Sequence, residues 1–180
     1  MYIQIEATPN DNALKFLVED LYHETEITSS NIPDDAPEFI KKIFEMSEIE
    51  KIFITSDFIT ITKREKDLWE PLKPIIFQIL LEAKMNPATK SERSEEVIDY
   101  SNLDEISKQI IELLDERIKP AVNMDGGDIS FVKFDLESGI VYVKLKGSCS
   151  GCPSSKITLQ SGIKRTLQHY IPEVSDVAEA

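Results

Sequence analysis

Apolar and polar residues alternate from the first position, Met1-Tyr2-Ile3-Gln4-Ile5-Glu6, which is the period of a strand. The pattern predicts strands over 3–7 and 14–18 around the turn Thr8-Pro9-Asn10-Asp11-Asn12. The period then changes: Phe39, Ile40, Ile43, Phe44 and Met46 recur at helical spacing, so 36–46 reads as a helix with Pro37 accommodated in its first turn. Two more strands follow, 51–55 and 58–62, joined through Ser56-Asp57 without a glycine. A helix over 68–84 closes this half; Pro71 suits its first turn, and Pro74 is expected to delay its start.

Residues 86–101 hold Pro, Ser, Thr and four acids with little apolar content, the composition of a solvated linker. The pattern resumes at Asn102-Leu103-Asp104-Glu105, where Asn102 can cap a helix and Glu105 can reach back to it. Ile106, Ile110, Leu113, Leu114 and Ile118 form the apolar stripe of that helix, which Pro120 is expected to stop near Lys119. Strict alternation over 129–135 and 140–146, with Glu137-Ser138-Gly139 between, predicts a hairpin. Then come Gly147-Ser148-Cys149-Ser150-Gly151-Cys152-Pro153, a helix over 154–170 ended by Pro172, and a short strand over 174–178. The fold class expected is α+β, two small α/β-sandwich-type domains joined by a flexible linker: 1–86, then the linker 87–101, then 102–180.

Composition narrows the chemistry. With 180 residues, 41% apolar and 29% charged, the chain can bury one medium core or two small ones. The longest apolar run, residues 75–81, is far short of the roughly 20 needed to cross a bilayer, so no membrane is expected. Net charge is -13, and a phosphate backbone is gripped by clustered Lys and Arg, so nucleic acid is not expected as a partner. The acidic excess lies mainly in the first half, either as a solvated face or as a surface for a basic partner. The start lacks the basic, apolar and small-residue succession of an export signal. Only two cysteines occur, three apart, too few and too close for a disulfide-stapled secreted domain. A reducing, cytoplasmic location is expected.

Cys149 and Cys152 carry the candidate chemistry. Cysteines at i and i+3 in a turn can aim both sulfurs at one metal, and the helix after Pro153 would place its positive end beside Cys152, favouring thiolate. Gly147 and Gly151 leave room for backbone amides to approach the sulfurs. Thiolates select zinc, copper(I) or iron–sulfur clusters, yet such sites generally use four ligands, and one chain supplies two. His23 has no partner motif, and His169 sits at the far end of the helix, more than 20 Å away at about 1.5 Å per residue. The simplest completion is a two-fold dimer in which both cysteine pairs meet across the axis. Two other readings stand beside it, a thiol–disulfide oxidoreductase and a zinc-bridged interaction module. The βαβ setting usual for the redox reading is missing. Met124-Asp125-Gly126-Gly127-Asp128 reads as a glycine turn with aspartate caps, too short and too poor in carboxylates for a calcium loop.

Pro120-Ala121-Val122-Asn123-Met124-Asp125-Gly126-Gly127-Asp128, with the cysteine loop and Thr158-Leu159, Gly162-Ile163, His169-Tyr170 and Pro172-Glu173-Val174, closely resembles the C-terminal domain of NifU-like proteins. Glu6-Ala7-Thr8-Pro9-Asn10, Leu14-Lys15-Phe16 and Asp57-Phe58-Ile59-Thr60-Ile61-Thr62-Lys63 resemble the N-terminal domain of the Nfu branch. The resemblance implies a non-enzymatic iron carrier that binds a 4Fe-4S cluster, or alternatively 2Fe-2S, at a homodimer interface. Cys149 and Cys152 would be the ligands. It implies as partners an upstream cluster assembly machinery and the apo iron–sulfur proteins that receive the cluster, with no catalytic residue. The departures, Asp11 where proline is frequent and the lack of glycine over 19–50, avoid the cysteine loop.

Overall fold

The computed structural model describes residues 3–18, 21–22, 24–85, 103–150 and 153–180. The chain divides into two compact units, Met1–Ser94 and Glu95–Ala180, and both mix strands with helices in the α+β manner. The expected linker 87–101, the cap Asn102, His23 and Cys152 lie outside the described residues.

In the first unit β1 (Gln4–Ala7), β2 (Ala13–Leu17), β3 (Thr25–Thr28), β4 (Ile49–Ile54) and β5 (Phe58–Lys63) form one sheet in the order β1-β2-β5-β4-β3. All neighbours are antiparallel. Alternation decides which side meets the helices α1 (Glu38–Phe44) and α2 (Trp69–Met85). Leu14 and Phe16 lie opposite Ile61 and Ile59, which lie opposite Ile52 and Ile54. This row joins Ile40, Ile43, Leu72, Ile76 and Leu80 in a single core. The glycine-free turn between β4 and β5 is closed by Thr55, whose hydroxyl accepts from Asp57 N–H and Phe58 N–H at 3.3 and 3.1 Å.

One strand of this unit goes beyond the sequence expectations, and one expectation is corrected. Strand β3 was hidden because Thr25-Glu26-Ile27-Thr28 offers one buried apolar residue, Ile27, and takes its conformation from pairing with β4. Pro74 does not delay α2, which starts at Trp69. Pro74 lies on the exposed side of the helix near its start, as does Glu70, the residue whose carbonyl it leaves without an N–H. The Trp69 indole N–H, donating to the Asp11 carbonyl at 3.0 Å, ties the helix start to the first turn.

In the second unit α3 (Glu105–Leu113) is capped by Asp104, which accepts from the Ser107 N–H at 2.8 Å and the Ser107 hydroxyl at 2.7 Å. Pro120 does not end the helical run. A π-helical turn, Leu114–Ile118, precedes α4 (Lys119–Met124), and the Lys119 N–H donates to the carbonyl of Leu114, five residues back. The wider turn relieves the clash a proline ring makes with the carbonyl four residues earlier. The sheet is β6 (Gly127–Asp135), β7 (Ile140–Gly147) and β8 (Asp176–Glu179), with β7 central, antiparallel to β6 and parallel to β8. The hairpin is not strictly alternating: its register shifts between Phe131 and Lys133, leaving Val132 as the extra, exposed residue of a bulge. Val141, Val143 and Leu145 of β7 pack with Ile110, Leu114 and Ile118 and with Ile163 and Leu167 of α5 (Pro153–Tyr170). No helix among the described residues is long and apolar enough to cross a membrane.

Candidate functional site

The central strand β7 delivers the candidate ligand. After Lys146 the chain turns at Gly147, whose φ of +68° lies in the left-handed region that a side chain disfavours. It then makes one 3-10 turn, Ser148–Ser150. The Ser150 hydroxyl donates back to the Gly147 carbonyl at 3.0 Å and closes that turn. Cys149 emerges from it buried, 7% exposed and part of the second core.

The turn is fastened to a second one, the segment between α4 and β6. Ser148 N–H donates to the Gly126 carbonyl at 3.1 Å, and its hydroxyl donates to the Asp125 carbonyl at 2.5 Å. Gly126 has a φ of +78°, so it can reverse the chain straight from the helix into β6. Gly127 pairs with Gly147 in the ladder and faces the cysteine. A Cβ at Gly127 would stand 2.5 Å from the Cys149 Sγ and 2.9 Å from the Lys146 carbonyl oxygen. No side chain fits there, so glycine lets the sulfur pack directly against backbone. Asp128, 2% exposed, anchors the second turn: its Oδ1 lies 3.7 Å from Lys119 Nζ. With the Asn123 amide nitrogen turned inward, Asn123 donates to the same Oδ1 at 3.2 Å and to the Gly127 carbonyl at 2.8 Å.

Of the residues singled out from sequence, Cys149 stands in this cradle, while Cys152 and Gly151 fall outside the described residues. The helix expected after them is α5, beginning at Pro153. His169 is exposed at the other end of α5, sixteen residues on, with its ring edge-on to Tyr170 at 4.8 Å. It is not brought to the cysteine turn. Among the described residues no three His, Cys, Asp or Glu side chains gather as a metal site. Sequence reasoning noticed Asp125 to Asp128 as a turn but not as the wall of the cysteine site. The signal available was the pair of facing glycines, Gly127 and Gly147, once the hairpin register is known. Two exposed apolar side chains flank the segments that frame the site: Met124, next to Asp125, and Ile157, one turn into α5.

The two units match two family models: residues 3–86 match the model described as "Scaffold protein Nfu/NifU N terminal", and residues 110–178 match the NifU-like domain. The chain is 40% identical over 186 residues to the human protein named "NFU1 iron-sulfur cluster scaffold homolog, mitochondrial", covering 99% of this chain and 72% of that protein. It is 36% identical over 188 residues to NifU-like protein 5, mitochondrial, of Arabidopsis thaliana, covering 99% and 68%. The solution structure of a NifU-like protein from Saccharomyces cerevisiae is 30% identical over 46% of this chain and 76% of that one, with a TM-score of 0.41. A relative 40% identical along nearly the whole chain, with both halves matched by their own models, places this chain in the Nfu branch of the NifU-like family, carrying its N-terminal and C-terminal domains together.

Proposed function

We propose that the chain is an iron–sulfur cluster scaffold and carrier, which holds a 4Fe-4S cluster between two copies through Cys149 and Cys152 of each and hands it to apo-proteins. The cluster is cargo, and the chain makes or breaks no bond of a separate substrate, so no catalytic residue is assigned. The observation that carries the reading is the cradle of Cys149. A sulfur set against glycine at a strand-to-helix turn has its backbone environment fixed, as a ligand requires. The relatives' names as scaffolds point the same way.

Two thiolates leave half of a four-ligand set to be supplied, and a second copy supplies it with the same geometry about a two-fold axis. A site split between chains also opens by separating them, or by exchange of these thiolates for those of the receiving protein, which suits delivery. In this reading 102–180 holds the cargo, 1–86 meets partners, and 87–101 joins them. An assembly machinery upstream provides the cluster. The relatives named are mitochondrial proteins, and the mechanism asks only for a compartment in which thiols stay reduced.

The test is iron, sulfide and zinc per chain, with molecular mass in solution, on protein reconstituted without oxygen. About four irons and four sulfides per dimer are expected; two of each would give the 2Fe-2S form of the same site. A metal-free monomer that cycles a Cys149–Cys152 disulfide while oxidising or reducing a test substrate would replace the carrier by a thiol–disulfide oxidoreductase. Stoichiometric zinc that resists iron and sulfide would make it a zinc-bridged interaction module.

A further inference from the structure

Ile110, Leu114, Ile118 and Val122 step by four along α3, the π-helical turn and α4, and all of them are buried in the second core. In an unbroken α-helix each step of four overshoots a full turn by about 40°, so the last residue would stand about 120° round from the first. The wider turn at Leu114–Ile118 absorbs part of that drift. It keeps Val122 on the core and turns the next positions along, Lys119 and Asn123, toward the start of β6.

Both side chains reach one carboxylate. Lys119 Nζ lies 3.7 Å from Asp128 Oδ1, and the inward-turned Asn123 amide donates to the same oxygen at 3.2 Å. The Lys119 side chain is 35% exposed and that of Asp128 only 3%, so a cation reaches in from the surface to a carboxylate with almost no water of its own. A buried carboxylate keeps its charge only with compensation close by. Asp128 directly follows Gly127, whose carbonyl the Asn123 amide also holds at 2.8 Å. Gly127 in turn is the residue with no room for a Cβ against the Cys149 Sγ. Lys119 is thus connected to the cysteine through two intervening residues, Asp128 and Gly127.

We propose that Lys119 is a positioning residue for the cysteine site: aimed by the π-helical turn, it holds Asp128 in place and with it the Gly127 wall that fixes the Cys149 sulfur. The proposal rests on the carrier reading for its cargo, and it concerns how long the cargo stays. Without the Lys119 ammonium, the Asp128 carboxylate regains a favourable setting by moving toward water, and the first residues of β6 move with it. A metal–ligand bond tolerates only about 0.2 Å, so a small outward shift of Gly127 loosens Cys149 without unfolding the unit. A half-exposed ion pair with no such role would change stability alone, and only slightly. Lys146 lies opposite Asp128 across the ladder, so the role of Lys119 is read from a cycle in which both members of its pair are changed.

The experiment follows iron loss to a chelator from the full reconstituted chain, beside the Tm of the apo-chain. Lys119→Met, which keeps the stem and removes the charge, should lose iron about tenfold faster than wild type, the lower end of what outer partners of metal ligands contribute. Lys119→Arg should restore the wild-type rate. Lys119→Met/Asp128→Asn should return most of the way, because a neutral amide needs no cation beside it. Asp104→Ala removes the cap of α3 in the same unit, and should lower Tm while leaving the rate of iron loss unchanged. A wild-type rate in Lys119→Met, a double variant as fast as the single one, or an equal acceleration in Asp104→Ala would overturn the proposal. If Lys119→Met does not fold, the double variant decides: folded with near-wild-type retention it upholds the assignment, and unfolded it overturns it. A wild-type chain that takes no cluster would refute the carrier reading alone. Positioning is then read from the apo-chain as alkylation of the Cys149 thiol, 7% exposed, by iodoacetamide. Several-fold faster alkylation in Lys119→Met, reversed in Lys119→Arg, upholds it, and equal rates overturn it.

Discussion

Replacing Gly127 by alanine adds one methyl group at the most constrained point of the site. The new carbon would stand 2.5 Å from the Cys149 sulfur and 2.9 Å from the Lys146 carbonyl oxygen. Ordinary contact between heavy atoms of this kind begins at about 3.5 Å, so roughly 1 Å of overlap must be removed. Lys146 O is backbone inside the β6–β7 ladder, where Asp128 pairs with Lys146, and does not yield cheaply. The cysteine therefore moves, or the two strands part. Metal–ligand bonds hold to within about 0.2 Å, so a shift several times larger removes Cys149 of both copies, two of the four expected ligands. The overpacking itself costs about 1–3 kcal/mol, which in a unit of this size lowers Tm by roughly 4–8 °C for each kcal/mol. The assay is iron and sulfide per chain after anaerobic reconstitution, beside thermal unfolding of the apo-protein. The expected outcome is cluster content well below wild type together with a lowered Tm. Gly162→Ala is the control: it lies in the middle of α5, where an added methyl meets nothing within 4 Å, so it should keep full cluster content and gain about 0.5–1 kcal/mol of helix stability. Gly127→Ala with wild-type iron, sulfide and Tm would refute the cradle.

Three further outcomes follow from the same geometry. Cys149→Ser or Cys152→Ser should each abolish the cluster-linked dimer, because either change removes two of four thiolates across the axis; wild-type iron per chain with dimeric mass in either variant would contradict the bridged site. Ser148→Ala removes the hydroxyl that donates to the Asp125 carbonyl, and should cost about 1 kcal/mol while loosening the cysteine turn, seen as faster loss of bound iron to a chelator; an unchanged loss rate would show that the backbone contact from Ser148 N–H to Gly126 suffices. Asp104→Ala should cost about 0.5–1 kcal/mol at pH 7, toward the low end of the capping range because the carboxylate is solvent-exposed. The Ser107 hydroxyl and then its N–H hold the Asp104 carboxyl below its usual value of 3.8, so the contribution is complete above that pH and disappears as pH falls through the lowered value. The difference between wild type and variant should shrink as pH falls below 3.8, and a difference that did not change with pH would refute a charged cap.

How much of this was legible in the sequence follows from the range of each interaction. The strands over Ile5, Phe16, Ile52 and Ile61, the helices carrying Ile40 and Ile110, and the placing of Cys149 after a strand and ahead of a helix all come from periodicity within ten or so residues, and the structure has them where the pattern puts them. Local rules misjudged Pro74 and Pro120, because a proline's cost depends on whether the carbonyl behind it meets water or a widened turn. Strand β3 carries too little apolar periodicity to announce itself and exists through its partner.

The cradle went unread for a sharper reason, which turns on a single residue. Continuing the pairing of Asp135 with Ile140 back along an unbulged hairpin would set Gly127 opposite Ser148, and Asp128 opposite Gly147. The bulge at Val132 moves the register by one, so that Gly127 meets Gly147 and Asp128 meets Lys146. A one-residue slip exchanges the two faces of a strand; without the bulge the position facing Cys149 would not be the glycine. Val132 is twenty residues from Cys152, the far end of the cysteine pair, and carries no chemistry of its own, yet it decides whether sulfur has room. The trace it leaves in 129–135 is slight: Ile129 and Phe131 lie two apart but Phe131 and Phe134 three, a single shift of phase among residues that are all strand formers. The ligand role proposed for Cys149 is in this sense a property of strand register, read from the cysteines in type and from the bulge in geometry.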